Sequence, residues 1–230
     1  MNSLPPGQIA TDAFPRFGLT PFAERFPKQV QVIELDICGD VAASISVGEP
    51  LQRLPRVEQV ADFHCVTTWT RRALRWSGFR FADFYEEIVV PMARPHPQAT
   101  FVVLRCQDGF RARMSLADLL AADVMLADRL DDEPLTIEHG APLRLVAPAH
   151  YGYKSAKHLD RIEFWCDDRK FRPPGLRFME HPRGRVALEE RGQWIPGIVL
   201  RYLYRPLIGS TAARFRRALD VHLHHHPPGR

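Results

Sequence analysis

The sequence predicts an α+β (mixed α/β) domain with a short helical, basic C-terminal extension, and three observations carry that prediction. Residues 31–38 alternate as a half-buried strand does, and further short strand candidates are scattered up to residue 165, with only two helical patterns among them. Twenty prolines and fourteen glycines in 230 residues demand many irregular connections. The charge divides after Trp165: residues 166–230 hold 13 Lys and Arg against 6 Asp and Glu, net +7, whereas residues 1–165 hold 18 against 21, net −3. The expected organisation is a main domain over 14–165 and an extension over 166–230 packed upon it.

Taken in order, residues 31–38 place Ile33, Leu35 and Ile37 on one face of a strand. Gln59–Cys65 is the next candidate strand, followed by a helix over Phe81–Val90. Phe101–Cys106 and Phe110–Met114 read as two further strands. Ser115-Leu-Ala-Asp118 then has the form of a capping box opening a helix through Ala122. Leu143–Ala147 and Arg161–Trp165 complete the strands. Residues 167–182 are charged and contain proline. From Trp194 to Ile208 the chain is apolar and aromatic, with Arg201 and Arg205 one helical turn apart, and Thr211–His225 spaces Phe215, Ala218, Leu219 and His222 as a helix does. Residues 194–225 either pack on the main domain or present an amphipathic basic surface to a membrane or an acidic redox partner.

Several function classes drop out. No strand leads through a glycine-rich turn into a helix, which excludes a doubly wound nucleotide-binding pattern. The basic residues are not interleaved with stacking side chains on one element, so no nucleic-acid partner is expected. No apolar stretch approaches the roughly 20 residues that span a bilayer. The start, Met1-Asn-Ser-Leu-Pro-Pro-Gly-Gln, lacks a basic cluster followed by an apolar run, and the expected location is cytoplasmic. Cys38, Cys65, Cys106 and Cys166 form neither a C-x-x-C nor a zinc spacing, so they are expected as thiols, with Cys38, Cys106 and Cys166 as small core residues.

Two segments carry chemistry. Asp62-Phe63-His64-Cys65-Val66-Thr67-Thr68-Trp69-Thr70 offers one soft thiolate at a strand end. Arg144-Leu-Val-Ala-Pro-Ala-His-Tyr151-Gly152-Tyr153-Lys154-Ser155-Ala156-Lys157 offers three cations and a glycine in a turn after another strand. A thiolate can ligate a metal, and Arg144, Lys154 and Lys157 suit an anionic group of the same cofactor. On the residues alone, Cys65 is either that ligand or a core thiol.

Together with Trp76-Ser77-Gly78 and Gly140-Ala-Pro-Leu-Arg144-Leu-Val, these segments resemble the sulfite-oxidase-like family of molybdopterin oxidoreductases, in the branch that includes the methionine sulfoxide reductase catalytic subunit. The resemblance runs from about Phe14 to Trp165. It implies a sulfite-oxidase-type molybdopterin-binding domain, a molybdenum-molybdopterin (Mo-MPT) cofactor with Cys65 as the metal ligand, and two-electron oxygen-atom transfer on a small sulfoxide- or sulfite-like substrate. Arg144 and the Ser155-Ala156-Lys157 turn would bind the phosphate or nucleotide end of the pterin. His139 stands where the family branch has asparagine, and its charge would depend on pH; Cys106 falls near a threonine position.

Phe14-Pro15-Arg16-Phe17-Gly18 resembles the loop that closes over the cofactor, or is a packed amino-terminal arm; in the first reading Pro15 and Arg16 meet the pterin. His64 is a candidate behind the ligand or a structural histidine, and Tyr151 and Tyr153 are candidates to hydrogen-bond a substrate oxygen. No haem-attachment or ferredoxin cysteine set is present, so an external electron-transfer partner is implied. The alternative function is a catalytically inactive molybdopterin-binding or redox-partner docking protein.

Overall fold

In a computed structural model, residues 3–226 are described, and their strands form two sheets. The first contains β1 (Ile9–Thr11), β4 (Arg56–His64), β5 (Trp69–Arg80), β8 (Met125–Leu130), β9 (Glu133–Pro134) and β10 (Arg144–Val146). Its path runs β1-β5-β8-β10, with β4 also on β5 and β9 on β8. The second sheet runs β3-β2-β11-β6-β7, from β2 (Leu35–Gly39), β3 (Ile45–Val47), β6 (Phe101–Cys106), β7 (Arg111–Ser115) and β11 (Leu159–Trp165). Within it β11 is parallel to β2 and antiparallel to β6. With few helices beside these sheets, the fold is the α+β architecture predicted.

The main core lies between the sheets. Leu35, Ile37, Val102, Leu104, Ile162 and Phe164 point inward from the second sheet to meet Phe79, Leu126 and Leu145 from the first. The pleat sends alternate residues of the first sheet to its other face, where Leu74, Trp76, Met125, Ala127 and Val146 form a smaller cluster with Phe14 and Phe63 against it. The first sheet is therefore apolar on both sides, and the candidate site develops along the edge of the smaller cluster. Gly78 permits β5 and β8 to pair closely within the first sheet: a Cβ there would lie 2.1 Å from the Leu126 carbonyl oxygen.

The helices are short. The predicted helix at Phe81 is α1 (Phe81–Phe84), which continues as a π-helical segment over Tyr85–Ala93 containing Pro91. At Ser115 the cap forms as predicted, the hydroxyl accepting from the Asp118 N–H at 3.1 Å, but α2 covers only Leu116–Leu119. The Asp118 carboxylate does not close the box; it pairs with Arg183. In the extension, α3 (Gly197–Tyr204) turns through a 3-10 segment (Arg205–Leu207) into α4 (Ile208–His225). Of the cysteines expected in the core, Cys106 is buried and Cys38 half-buried. Cys166 departs from that expectation: it is exposed, just after β11, with its sulfur 3.4 Å from His96 Nδ1.

Candidate active site

Cys65 sits at the tip of the β4–β5 hairpin. Its N–H donates to the Trp69 carbonyl at 2.8 Å, and its carbonyl accepts from Thr68 N–H at 3.1 Å and Gln8 Nε2 at 3.1 Å. Thr68 takes φ +94° to close this four-residue turn. The thiol lies 3.1 Å from the Thr67 hydroxyl. Burial pushes its pKa up, against the Thr67 hydrogen bonds and the charges of Arg191 and Lys157, which pull it down. A metal bound at the sulfur would take the thiolate form outright.

The second predicted segment abuts this hairpin. Gly152 N–H donates to the His64 carbonyl at 2.8 Å, and Gly152 needs to be glycine because a Cβ would lie 2.1 Å from the Phe63 ring. Beyond it, Ser155 Oγ accepts from Ala147 N–H at 3.2 Å, which leaves the hydroxyl hydrogen free to donate. Lys157 is half-buried; its ammonium donates to the Glu138 carbonyl at 2.8 Å, and no carboxylate pairs with it among the described residues. Burial lowers its pKa to about 7, and the neighbouring charges of Arg144 and Arg16 push the same way.

These groups share a cavity of about 240 Å³. Cys65, Thr67, Tyr153, Ser155, Ala156 and Lys157 line it together with Pro15 and Arg16 of the amino-terminal arm. Much of the remaining wall is apolar and aromatic, including Phe14, Phe17, Phe110, Met179, Leu207 and Phe215.

The other predicted site residues lie outside the lining. Arg144 is fully buried and donates to the carbonyls of His139 at 2.7 Å, Ser155 at 3.3 Å and Leu145 at 3.4 Å, its guanidinium over the Trp76 ring. It braces the turn that carries Ser155 and Lys157. Burial lowers its pKa to about 9, which leaves it charged at neutral pH. Lys154 is turned away, with its ammonium on Glu180 at 2.7 Å and on the carbonyls of Arg113 and Pro182.

His139 stacks on Phe14 with its Nδ1 unpartnered, and burial followed by the charges of Lys157 and Arg144 lowers its pKa to about 3. It is therefore neutral across the physiological range, contrary to the expected pH-dependent charge. His64 bonds Thr70 at 2.9 Å, Cys106 packs in the main core, and Tyr151 is buried with Arg191 over its ring.

Arg16 lines the cavity, but its guanidinium is spent on the backbone. It donates to the carbonyls of Phe22, Ala23 and Arg25 and lies over the rings of Phe26 and Phe215. The arm is thereby clamped against α4.

Sequence reasoning missed four contributors. Arg191, fully buried in the extension, donates to the Val66 carbonyl in the Cys65 turn and to Pro6 at 3.1 Å. Asp108 lines the cavity, with burial raising its carboxyl pKa. Tyr204 and Phe215 wall the cavity from the extension. Each is near the site only through long-range packing, and Arg191 lies in a plain Glu-Glu-Arg-Gly run that carries no motif.

The fit to a thiolate-bound metal with an anionic organic group rests on two features. One cysteine opens into the cavity, and Lys157 and Arg16 line it with Arg144 behind them; of the acids in the lining, Glu180 is taken by Lys154 and Arg113, and Asp108 forms no ion pair with Lys157. An ammonium in the wall with no carboxylate paired to it among the described residues suits an anion from outside the chain.

Comparison with known proteins gives the same account. Residues 24–171 match the family described as oxidoreductase molybdopterin binding domain. The oxidoreductase YuiH of Bacillus subtilis is 35% identical over 196 residues, covering 83% of this chain and 92% of that protein. The protein-methionine-sulfoxide reductase catalytic subunit MsrP of Campylobacter jejuni is 30% identical over 155 residues, covering 60% of this chain and 50% of that protein. The sulfane dehydrogenase SoxCD from Paracoccus pantotrophus has a similar fold, with a TM-score of 0.51 at 21% identity over 58% of this chain and 38% of that chain.

Proposed function

The chain belongs to the oxidoreductase molybdopterin-binding domain family, and from that premise we propose that it carries out two-electron oxygen-atom transfer on a small sulfoxide- or sulfite-like substrate, exchanging electrons with a separate protein or carrier. It is an oxidoreductase, and molybdopterin is its cofactor. When bound, the molybdenum-pterin group supplies the two-electron chemistry.

The chain's residues supply binding, orientation and a dry site. Cys65 would hold the metal, and Lys157, Ser155 and backbone donors of their turn would hold the anionic end. Tyr153 keeps its proton, because burial raises its pKa well above the ordinary value. The apolar wall excludes bulk water. The observation that carries this reading is the opening of Cys65 and Lys157 into one largely apolar cavity. The relative from Campylobacter jejuni is named for protein methionine sulfoxide reduction, which makes a sulfoxide the first substrate to try.

Protein produced in molybdopterin-making cells should contain near-stoichiometric molybdenum, and Cys65→Ser should lose it while keeping its circular dichroism. Reduced viologen dye with methionine sulfoxide, and ferricyanide with sulfite, test the two directions of transfer. Turnover in one of them that vanishes in Cys65→Ser is expected. A metal-loaded protein that turns over neither overturns oxygen-atom transfer.

A further inference from the structure

The outward side of α3 is as apolar as its inward side. Leu200 and Tyr204 face the interior, while Ile198, Val199, Tyr202 and Leu203 stand in solvent, Tyr202 65% exposed, and Trp194 just before the helix is 76% exposed. A helix apolar all round belongs in a core or against an apolar phase. Residues 191–219 hold six arginines and no acidic residue; of these Arg191 is buried on Glu189, Arg201 pairs with the same Glu189, and Arg214 pairs with Glu24. Arg205, Arg216 and Arg217 are exposed and without ion-pair partners among the described residues.

We propose that this face seats the protein peripherally on an anionic lipid surface. Such a surface asks for apolar side chains, aromatic rings at headgroup depth and positive charge, all of which this segment supplies. A protein partner is fixed in register by complementary patches, commonly of both signs, whereas the exposed charges left outside ion pairs here, Arg205, Arg216 and Arg217 against Asp220, are mostly positive. No helix among the described residues is long and apolar enough to cross a membrane, so the contact proposed is superficial. The α3–α4 elbow that carries the face also walls the cavity through Tyr204, Leu207 and Phe215, so lipid contact would bear on the active-site wall.

The test is co-sedimentation of the metal-loaded full chain with phosphatidylcholine vesicles, with and without phosphatidylglycerol. Binding to the anionic vesicles alone, weakened by salt, is expected. Ile198→Ser with Tyr202→Ser should lower partitioning by about tenfold or more. Arg205→Glu with Arg217→Glu should lower it roughly fivefold or more per arginine at low salt. Thermal unfolding and molybdenum content confirm that each variant is folded, and the wild-type salt dependence needs no variant. Failure to bind anionic vesicles, or equal binding to neutral ones, overturns the proposal. So does a lipid-free, concentration-dependent dimer that Ile198→Ser with Tyr202→Ser abolishes, because a second copy would then cover the face.

Discussion

At the scale of single residues, the site is governed by what burial does to charge. Lys157 keeps its ammonium beside Arg144 and Arg16 with one carbonyl as its hydrogen-bond acceptor, which places its folded pKa near 7 against 10.5 for an unperturbed lysine. Below about pH 7 both folded and unfolded chains hold this proton, and the cost of keeping it is fully present. Between about 7 and 10.5 the unfolded chain still holds the proton and the folded chain has released it, so stability rises with pH. Urea unfolding of cofactor-free protein should show that rise, and Lys157→Met should flatten it; superimposable pH profiles would show the amine to be ordinary. An anion bound at the ammonium would raise its pKa and shrink the same window. The candidacies of Cys65 and Lys157 were legible because donor chemistry is written in residue type, and that of Ser155 through the family resemblance. The commitments of Arg16 and Lys154 were not, because whether a cation faces a ligand or a carbonyl depends on partners far away in the chain, such as Glu180.

At the scale of elements, β6, β7, β10 and β11 emerge close to the strand candidates of the sequence, because each is a short apolar run bounded by turn residues. β5 was missed. Thr70-Arg71-Arg72 interrupts its pattern, and at Ala73 the backbone takes φ +54° while its N–H bonds the Asp62 carboxylate, so the strand changes face partway along. β8 was missed for the opposite reason: Met125, Leu126 and Ala127 are all buried, since both faces of the first sheet are covered, and a continuous apolar run has no period to read. The junction of these two strands makes Gly78 decisive. A Cβ 2.1 Å from the Leu126 carbonyl would collide with backbone, which has no rotamer to escape into. Gly78→Ala should therefore cost about 1–3 kcal/mol, and more if the β5–β8 pairing separates. Thermal unfolding measures it, and an unchanged midpoint would mean the strands can part there without penalty.

At the scale of the whole molecule, the extension is joined to the main domain by buried charge. Its sequence advertised basicity and helices but not the acid that fastens it. Glu180 receives Lys154 at 2.7 Å and Arg113 at 2.8 Å, both from the main domain, while its carbonyl accepts from Gln193 at 2.7 Å. Arg183 pairs with Asp118, and Arg191 reaches the Cys65 turn, so the same segment touches α2 and the back of the candidate site. Removing the Glu180 charge leaves Lys154 buried without a counter-ion beside Arg113, whose remaining partner is the exposed Asp168, and breaking a buried pair in this way costs about 3–5 kcal/mol. Glu180→Gln should accordingly lower the unfolding midpoint and open residues 166–193 to limited proteolysis before the sheets unfold. Adding Lys154→Met should recover part of the loss, because it removes the stranded charge. If Glu180→Gln cleaves no faster than the wild type, the extension is held by its apolar contacts at Leu200, Tyr204 and Phe215, and the ion cluster is only a passenger on that packing.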